Sequence, residues 1–335
     1  MRAMVLEKPE PVEKSPLKLE DVTQPLPLAG EVRVKVSCCA VCHTDLHIAE
    51  GELNLPRLPL IPGHQTVGVV ELLGAGVKAL KEGDRVGIPW LHSTDGSCSY
   101  CRHRFENLCE NARFTGLHND GGYAEYTTAR EDFVFPLPKS FPDENAAPLL
   151  CAGIVGFRSY RISGASSGDH LGLYGFGASA HLVMQVALYE GCQVSVFTRA
   201  QSHREMAKRL GAAWVGSAEE SPPDPLDAAI MFAPSGALVP LALKRLRKGG
   251  VLSLAGITMS PIPQMDYSLL YGERVVRSVA NNTRQDSREF LEIAARVPLK
   301  TEIQMFELEQ ANEALQALKK SETNGAAVLR VASSA

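Results

Sequence analysis

The chain is 335 residues long with 45% hydrophobic residues, longer than one ordinary domain and apolar enough to build real cores. A formal net charge of −4 and a pI near 6.2 argue against a nucleic-acid or anionic-membrane partner. The longest apolar run, around residues 146–157, is too short for a bilayer and is broken by Pro148, and Met1 to Val5 lack the apolar run of a secretory leader, so a cytoplasmic protein is expected.

To about residue 150 the chain is β-rich. Residues 17–22, 31–36 and 66–71 alternate apolar and polar, and Gly121-Gly122 makes a turn before a further predicted strand over 123–126. Short strands between Gly, Pro and Asp turns predict a small barrel. Set among them is Cys42-His43-Thr44-Asp45-Leu46-His47, with Gly63-His64 further on. A soft thiolate and imidazoles suit zinc, and Thr44 and His47 could move protons beside it. Alone, each of these residues is equally a buried Cys or a surface His. Cys98, Cys101 and Cys109 form a second cluster, which in a cytosolic chain of this length points to metal binding over disulfides.

After Gly168 the rhythm becomes strand, helix, strand. A short buried strand over 171–174 leads into Gly175-Phe176-Gly177-Ala178-Ser179-Ala180, which has the form G-x-G-x-x-A and opens a helix. The first Gly permits a tight turn, the second lets a pyrophosphate approach the backbone, and the small last residue permits close helix–strand packing. The helix N-terminus favours the phosphate charge. Strands are predicted over 193–197, 228–232, 251–254 and 275–279, with a helix over 238–246 between two of them, giving a doubly wound parallel sheet and an α/β protein. At the end of the second of these strands stand Phe197-Thr198-Arg199, with His203 and Arg204 nearby. An acid that would favour NAD is missing and cations are present, which favours the 2′-phosphate of NADP, the alternative being that Arg199 is a solvated charge. A helix near Phe290, an amphipathic helix over 309–319 and a last strand over 327–331 are expected to return to the first domain.

Taken together, Cys42-His43-Thr44-Asp45, Pro62-Gly63-His64, the Cys98/Cys101/Cys109 cluster, Cys151-Ala152-Gly153 and the glycine turn resemble the zinc-dependent alcohol dehydrogenases of the medium-chain dehydrogenase/reductase family over nearly the whole length. The resemblance implies a GroES-like β-barrel catalytic domain, residues 1–152 and 287–335, and a Rossmann dinucleotide-binding domain, residues 153–286. It implies a catalytic zinc on Cys42, His64 and Cys151, with Asp45 orienting His64, Thr44 accepting the alcohol proton and His47 passing it toward solvent. A hydride would then pass between a primary or secondary alcohol and NAD(P). It further implies that Trp90 lines the substrate pocket, although a core Trp is nearly as natural. His43 would lie near the cofactor, with Gly175, Phe176, Gly177, Ala178, Ala180, Thr198 and Arg199 in contact with it. A homodimer or homotetramer acting on a small alcohol or aldehyde is implied, with a polyol or aryl-alcohol dehydrogenase as the neighbouring reading and a non-catalytic redox sensor as the distant one.

Three departures from the family pattern stand out. Gln65 follows the zinc His where Glu is usual. Asp95 stands where the first of four structural-zinc cysteines is expected, so a structural site of Asp95, Cys98, Cys101 and Cys109 is implied, the alternatives being His92 or His103 as a substitute ligand, or a lobe without metal. Ala326 follows Gly325 where an Arg often reaches the pyrophosphate, and Arg330 lies too far along to take its place.

Overall fold

A computed structural model describes residues 1–323 and 325–331. The chain divides into two compact units. One holds Met1–Cys151, Asn281–Ala295 and the chain from Thr301 onward; the other holds Ala152–Ala280 and Arg296–Lys300. No helix among the described residues is long and apolar enough to cross a membrane.

The first unit is built on the strand Glu31–Val41. Its first half alternates, placing Val32, Val34 and Val36 in the core, while Cys38 to Val41 are buried without a break. The change has a cause in the pairing. The strand lies along Thr66–Leu73 on one edge, with a register shift between Val36 and Cys38. Its other edge is shared: Glu31 to Lys35 pair with Tyr126–Arg130, and Cys38 to Val41 pair with Ala326–Arg330. A bulge at the handover bends one strand between two partners, as expected of barrel corners. Arg85–Ile88, Phe135–Pro136 and Ile303–Glu307 complete the seven-stranded sheet. Val32, Val34, Val70, Val86, Ile88, Ala129 and Val134 pack inside it.

One expected strand is displaced. Residues 123–125 form only a single bridge, Ala124 to Ala3, and the ladder begins at Tyr126. The backbone donors of Gly121, Gly122 and Tyr123 go to the carbonyls of Ile61, Gly63 and Pro62, so this stretch is committed to the segment carrying His64.

The second unit is a parallel sheet in the order Trp214–Gly216, Gln193–Phe197, His170–Tyr174, Leu226–Met231, Leu246–Leu254, Val275–Ser278. The order reverses between His170–Tyr174 and Leu226–Met231, the switch point at which doubly wound sheets bind ligands. All five residues of His170–Tyr174 are buried, as a central parallel strand covered on both faces requires.

Candidate metal centre and nucleotide turn

Cys42 sits at the N-cap of the helix His43–Glu50, just where the strand Glu31–Val41 ends. The sequence Cys42-His43-Thr44-Asp45 forms a capping box in which a thiol takes the usual place of a hydroxyl. The Thr44 N–H donates to Cys42 Sγ at 3.3 Å, and the Cys42 N–H donates to Asp45 Oδ2 at 3.0 Å. The other oxygen, Asp45 Oδ1, accepts from the Gly63 N–H at 3.2 Å and from His64 Nδ1 at 3.0 Å. Asp45 and His64 are both completely buried. A carboxylate can only accept, so Nδ1 carries the proton and Nε2 is left as the donor atom for a metal. Asp45 thus caps the helix and fixes the His64 tautomer at once.

His64 Nε2 lies 3.2 Å from Cys42 Sγ. With Cys151 Sγ, these three donor atoms all lie within 4.8 Å of one another. Tetrahedral zinc at about 2.3 Å from sulfur and about 2.0 Å from nitrogen keeps its ligands roughly 3.5–3.8 Å apart, so the donor set fits the ion. The titration of the site agrees. Hydrogen bonding from the Cys151 thiol, with His64 and the Thr44 side chain, pulls the Cys42 thiol well down against the opposing effect of burial. The bond to Cys42 and burial push Cys151 up. Two thiols sharing one proton are a place where a divalent cation displaces that proton.

The second cluster sits on a short loop and helix. Asp95, Cys98, Cys101 and Cys109 place one donor atom each within 4.8 Å of one another. Asp95 Oδ1 accepts from the N–H groups of Ser97 and Cys98 at 2.8 and 2.9 Å, and Oδ2 accepts from Asn111 Nδ2 at 2.9 Å. The Asn111 bond, followed by the two backbone bonds, holds the Asp95 carboxyl far below its usual range, so it stays an anion among three thiols. Neither His92 nor His103 belongs to this group. His92 is 2% exposed on the strand Leu91–Ser93, and His103 Nδ1 bonds the Ser99 carbonyl at 2.7 Å.

Of the remaining first-unit candidates, Thr44 is buried at the first turn and His43 is exposed. His47 Nδ1 pairs with Glu52 Oε2 at 2.5 Å. Trp90 is 8% exposed, makes a T-shaped contact with the His64 ring at a centroid distance of 4.7 Å, and stacks on Phe114 at 4.9 Å. Glu52 and Phe114 were not singled out from sequence; Phe114 carries no local signal, whereas Glu52 follows Gly51 at a helix end. Gln65 is buried and Arg330 pairs with Glu307 at 3.0 Å.

In the second unit, Gly175 follows the buried strand with φ of +87°, and a Cβ there would lie 2.9 Å from the Ala233 nitrogen. Gly177 caps the helix Ala178–Tyr189, and a Cβ on it would meet nothing within 4 Å. That open space beside the first helical N–H groups is a cradle for an anion. Phe176 and Ala180 are buried. Thr198 is buried, with its carbonyl accepting from Arg204 Nε at 3.0 Å, while Arg199 is exposed.

One unit of barrel type that carries a Cys/His metal cluster, and one that is a doubly wound sheet with a phosphate-binding turn, together define a metal-dependent dehydrogenase. Comparison with known proteins agrees. The family described as alcohol dehydrogenase GroES-like domain matches residues 28–139, and the family described as zinc-binding dehydrogenase matches residues 180–296. The chain is 45% identical over 337 residues to a probable alcohol dehydrogenase of Mycobacterium tuberculosis, covering 99% of this chain and 97% of that protein. It is 38% identical to an alcohol dehydrogenase of Geobacillus stearothermophilus, covering 99% and 100%. Among solved structures it is similar to a cinnamyl alcohol dehydrogenase of Sorghum bicolor, with a TM-score of 0.89 at 26% identity over 100% and 98% of the two chains. The chain belongs to the zinc-dependent alcohol dehydrogenases of the medium-chain dehydrogenase/reductase family. It is an NAD(P)-dependent oxidoreductase with zinc as its metal cofactor, as the residues implied.

Proposed function

We propose that Cys42, His64 and Cys151 hold the catalytic zinc, and that Thr44 and His47 move the proton of a bound alcohol. Two thiolates and one imidazole with the fourth position left for water or substrate is the pattern already known for alcohol dehydrogenases. The carrying observation is the convergence of those three donor atoms within 4.8 Å, with Asp45 on the far nitrogen of His64. The bound zinc supplies Lewis-acid polarisation of an alcohol or carbonyl oxygen. The protein's own residues do the rest. Asp45 keeps His64 in the ligating tautomer. The Thr44 hydroxyl accepts the substrate proton, and His47, with its side chain 14% exposed, hands it toward solvent. Trp90 walls the substrate pocket and excludes water from the zinc side.

Gly175, Phe176, Gly177, Ala178 and Ala180 form the pyrophosphate turn, His43 takes part in holding the cofactor, and Thr198 and Arg199 meet the adenosine ribose. The cationic Arg199 and the missing acid favour NADP over NAD. Asp95, Cys98, Cys101 and Cys109 hold a structural zinc. Residues 1–152 and 287–335 serve as the catalytic domain and 153–286 as the cofactor domain. The substrate is a primary or secondary alcohol or its aldehyde. The stacked Trp90 and Phe114 support an aryl alcohol as the second reading. The enzyme works in the cytoplasm as a homodimer or homotetramer, supported by the edge strand Val275–Ser278, whose Val275 is 45% exposed, and by exposed Tyr267 and Tyr271 just before it.

Chelation tests this reading. Complete removal of zinc should abolish alcohol oxidation while dinucleotide binding, followed by nicotinamide fluorescence, persists, and returned zinc should restore turnover. Turnover by fully zinc-free protein would overturn it.

A further inference from the structure

We infer that Glu52 is the positioning residue of His47, fixing which ring nitrogen takes up the proton. The inference rests on the reading of His47 as the proton acceptor beyond Thr44. The helix His43–Glu50 ends in Gly51 with φ of +75°, and the chain then turns back on itself. The Glu52 N–H donates to the His47 carbonyl at 2.9 Å, and the Gly51 N–H donates to the Ile48 carbonyl at 3.1 Å. This pair of crossed bonds is a Schellman turn, which needs a left-handed residue at its corner. A Cβ on Gly51 would sit 2.8 Å from Pro9 Cβ, so the corner is doubly reserved for glycine.

The turn brings the Glu52 side chain over the last helical turn, where its Oε2 meets His47 Nδ1 at 2.5 Å. A carboxylate has no proton to give, so the ring donates and Nδ1 carries the hydrogen. In the neutral ring Nε2 is then the basic nitrogen. When Nε2 takes a proton, the resulting imidazolium keeps its bond to Glu52 and gains a charge partner. Glu50, on the same helix, is committed elsewhere: it pairs with Lys319 at 2.7 Å and accepts from the Val12 N–H at 3.0 Å. The Glu52 side chain is 51% exposed, so as a surface ion pair it contributes little to stability and its loss leaves the fold intact.

The test uses zinc-loaded enzyme labelled with 15N-histidine, the His47 signals being assigned by their loss in His47→Gln. Wild type should show His47 with the proton on Nδ1 and Nε2 unprotonated. Glu52→Ala should move His47 toward the other tautomer and lower kcat for alcohol oxidation roughly ten- to hundredfold, with KM for the nucleotide unchanged. Glu52→Gln, whose carbonyl still accepts from Nδ1, should keep the wild-type tautomer and recover part of kcat. An unchanged His47 tautomer or an unchanged kcat in Glu52→Ala overturns the inference alone, provided His47→Gln is impaired. Full turnover by His47→Gln overturns the inference together with the proton path beneath it.

Discussion

Asp45 carries two duties, a helix cap and a partner to a metal ligand. Its two oxygens divide them, Oδ2 toward Cys42 N–H and Oδ1 toward His64 and Gly63. Burial raises the Asp45 carboxyl overall, with the neighbouring His64 pulling the other way. Asp45→Asn keeps the size and an acceptor but drops the charge. Its expected effect is a 10- to 100-fold loss of zinc affinity, read by competition with a coloured chelator; unchanged affinity would leave Asp45 as a cap only. At the nucleotide turn, Arg199→Asp should shift the kcat/KM ratio from NADP toward NAD, and an unmoved ratio would remove Arg199 as the discriminating residue.

Among the elements, the loop bearing Cys98, Cys101 and Cys109 depends on a distant helix. Arg284, at the start of Arg284–Arg296, holds the buried Glu106 through bonds of 2.7–3.1 Å, pairs with Asp132 at 3.0 Å, and lies over the Phe133 ring. Glu106 lies between Cys101 and Cys109, so the pair ties the metal loop to the body of its unit. Removing one partner leaves a charge without its counter-ion. Arg284→Met should lower stability by about 2–3 kcal/mol in urea denaturation, less than for a fully buried pair because the Arg284 side chain is 29% exposed. A loss under about 0.5 kcal/mol would show the pair to be ordinary surface charge.

The strand Leu91–Ser93 adds a pH dependence. Burial, helped by the charges of Arg113 and Arg130, lowers His92 from 6.5 to about 4. The unfolded chain therefore binds this proton first as the solution is acidified. The stability from a neutral His92 is complete above about pH 6.5 and is lost on the way down to about pH 4, roughly 3 kcal/mol in all. His92→Asn should flatten the stability profile across that window; an equally steep fall would assign it to other groups.

For the molecule as a whole, the α/β plan and its parallel order were legible because periodicity and turn residues are local. The G-x-G-x-x-A turn lies between a five-residue strand and a helix, as its spacing required. What escaped depends on pairing and not on local pattern. The strand Arg2–Leu6 is defined by its pairing with Leu17–Asp21, and Ile303–Glu307 by Ala326–Arg330; neither stretch shows clean alternation. The tie between His47 and Glu52 was hidden for a different reason: it needs the backbone reversal at Gly51, which a pattern of residue types does not display. The convergence of Cys42, His64 and Cys151 came from resemblance, since no spacing rule brings three such distant residues together. That convergence is also what turnover must depend on. The most direct measurement is zinc content and alcohol turnover of Cys42→Ala, with dinucleotide binding followed in the same sample. The geometry predicts loss of one zinc per chain, no turnover and intact nucleotide binding, whereas a variant that still oxidises alcohols at the wild-type rate would contradict it.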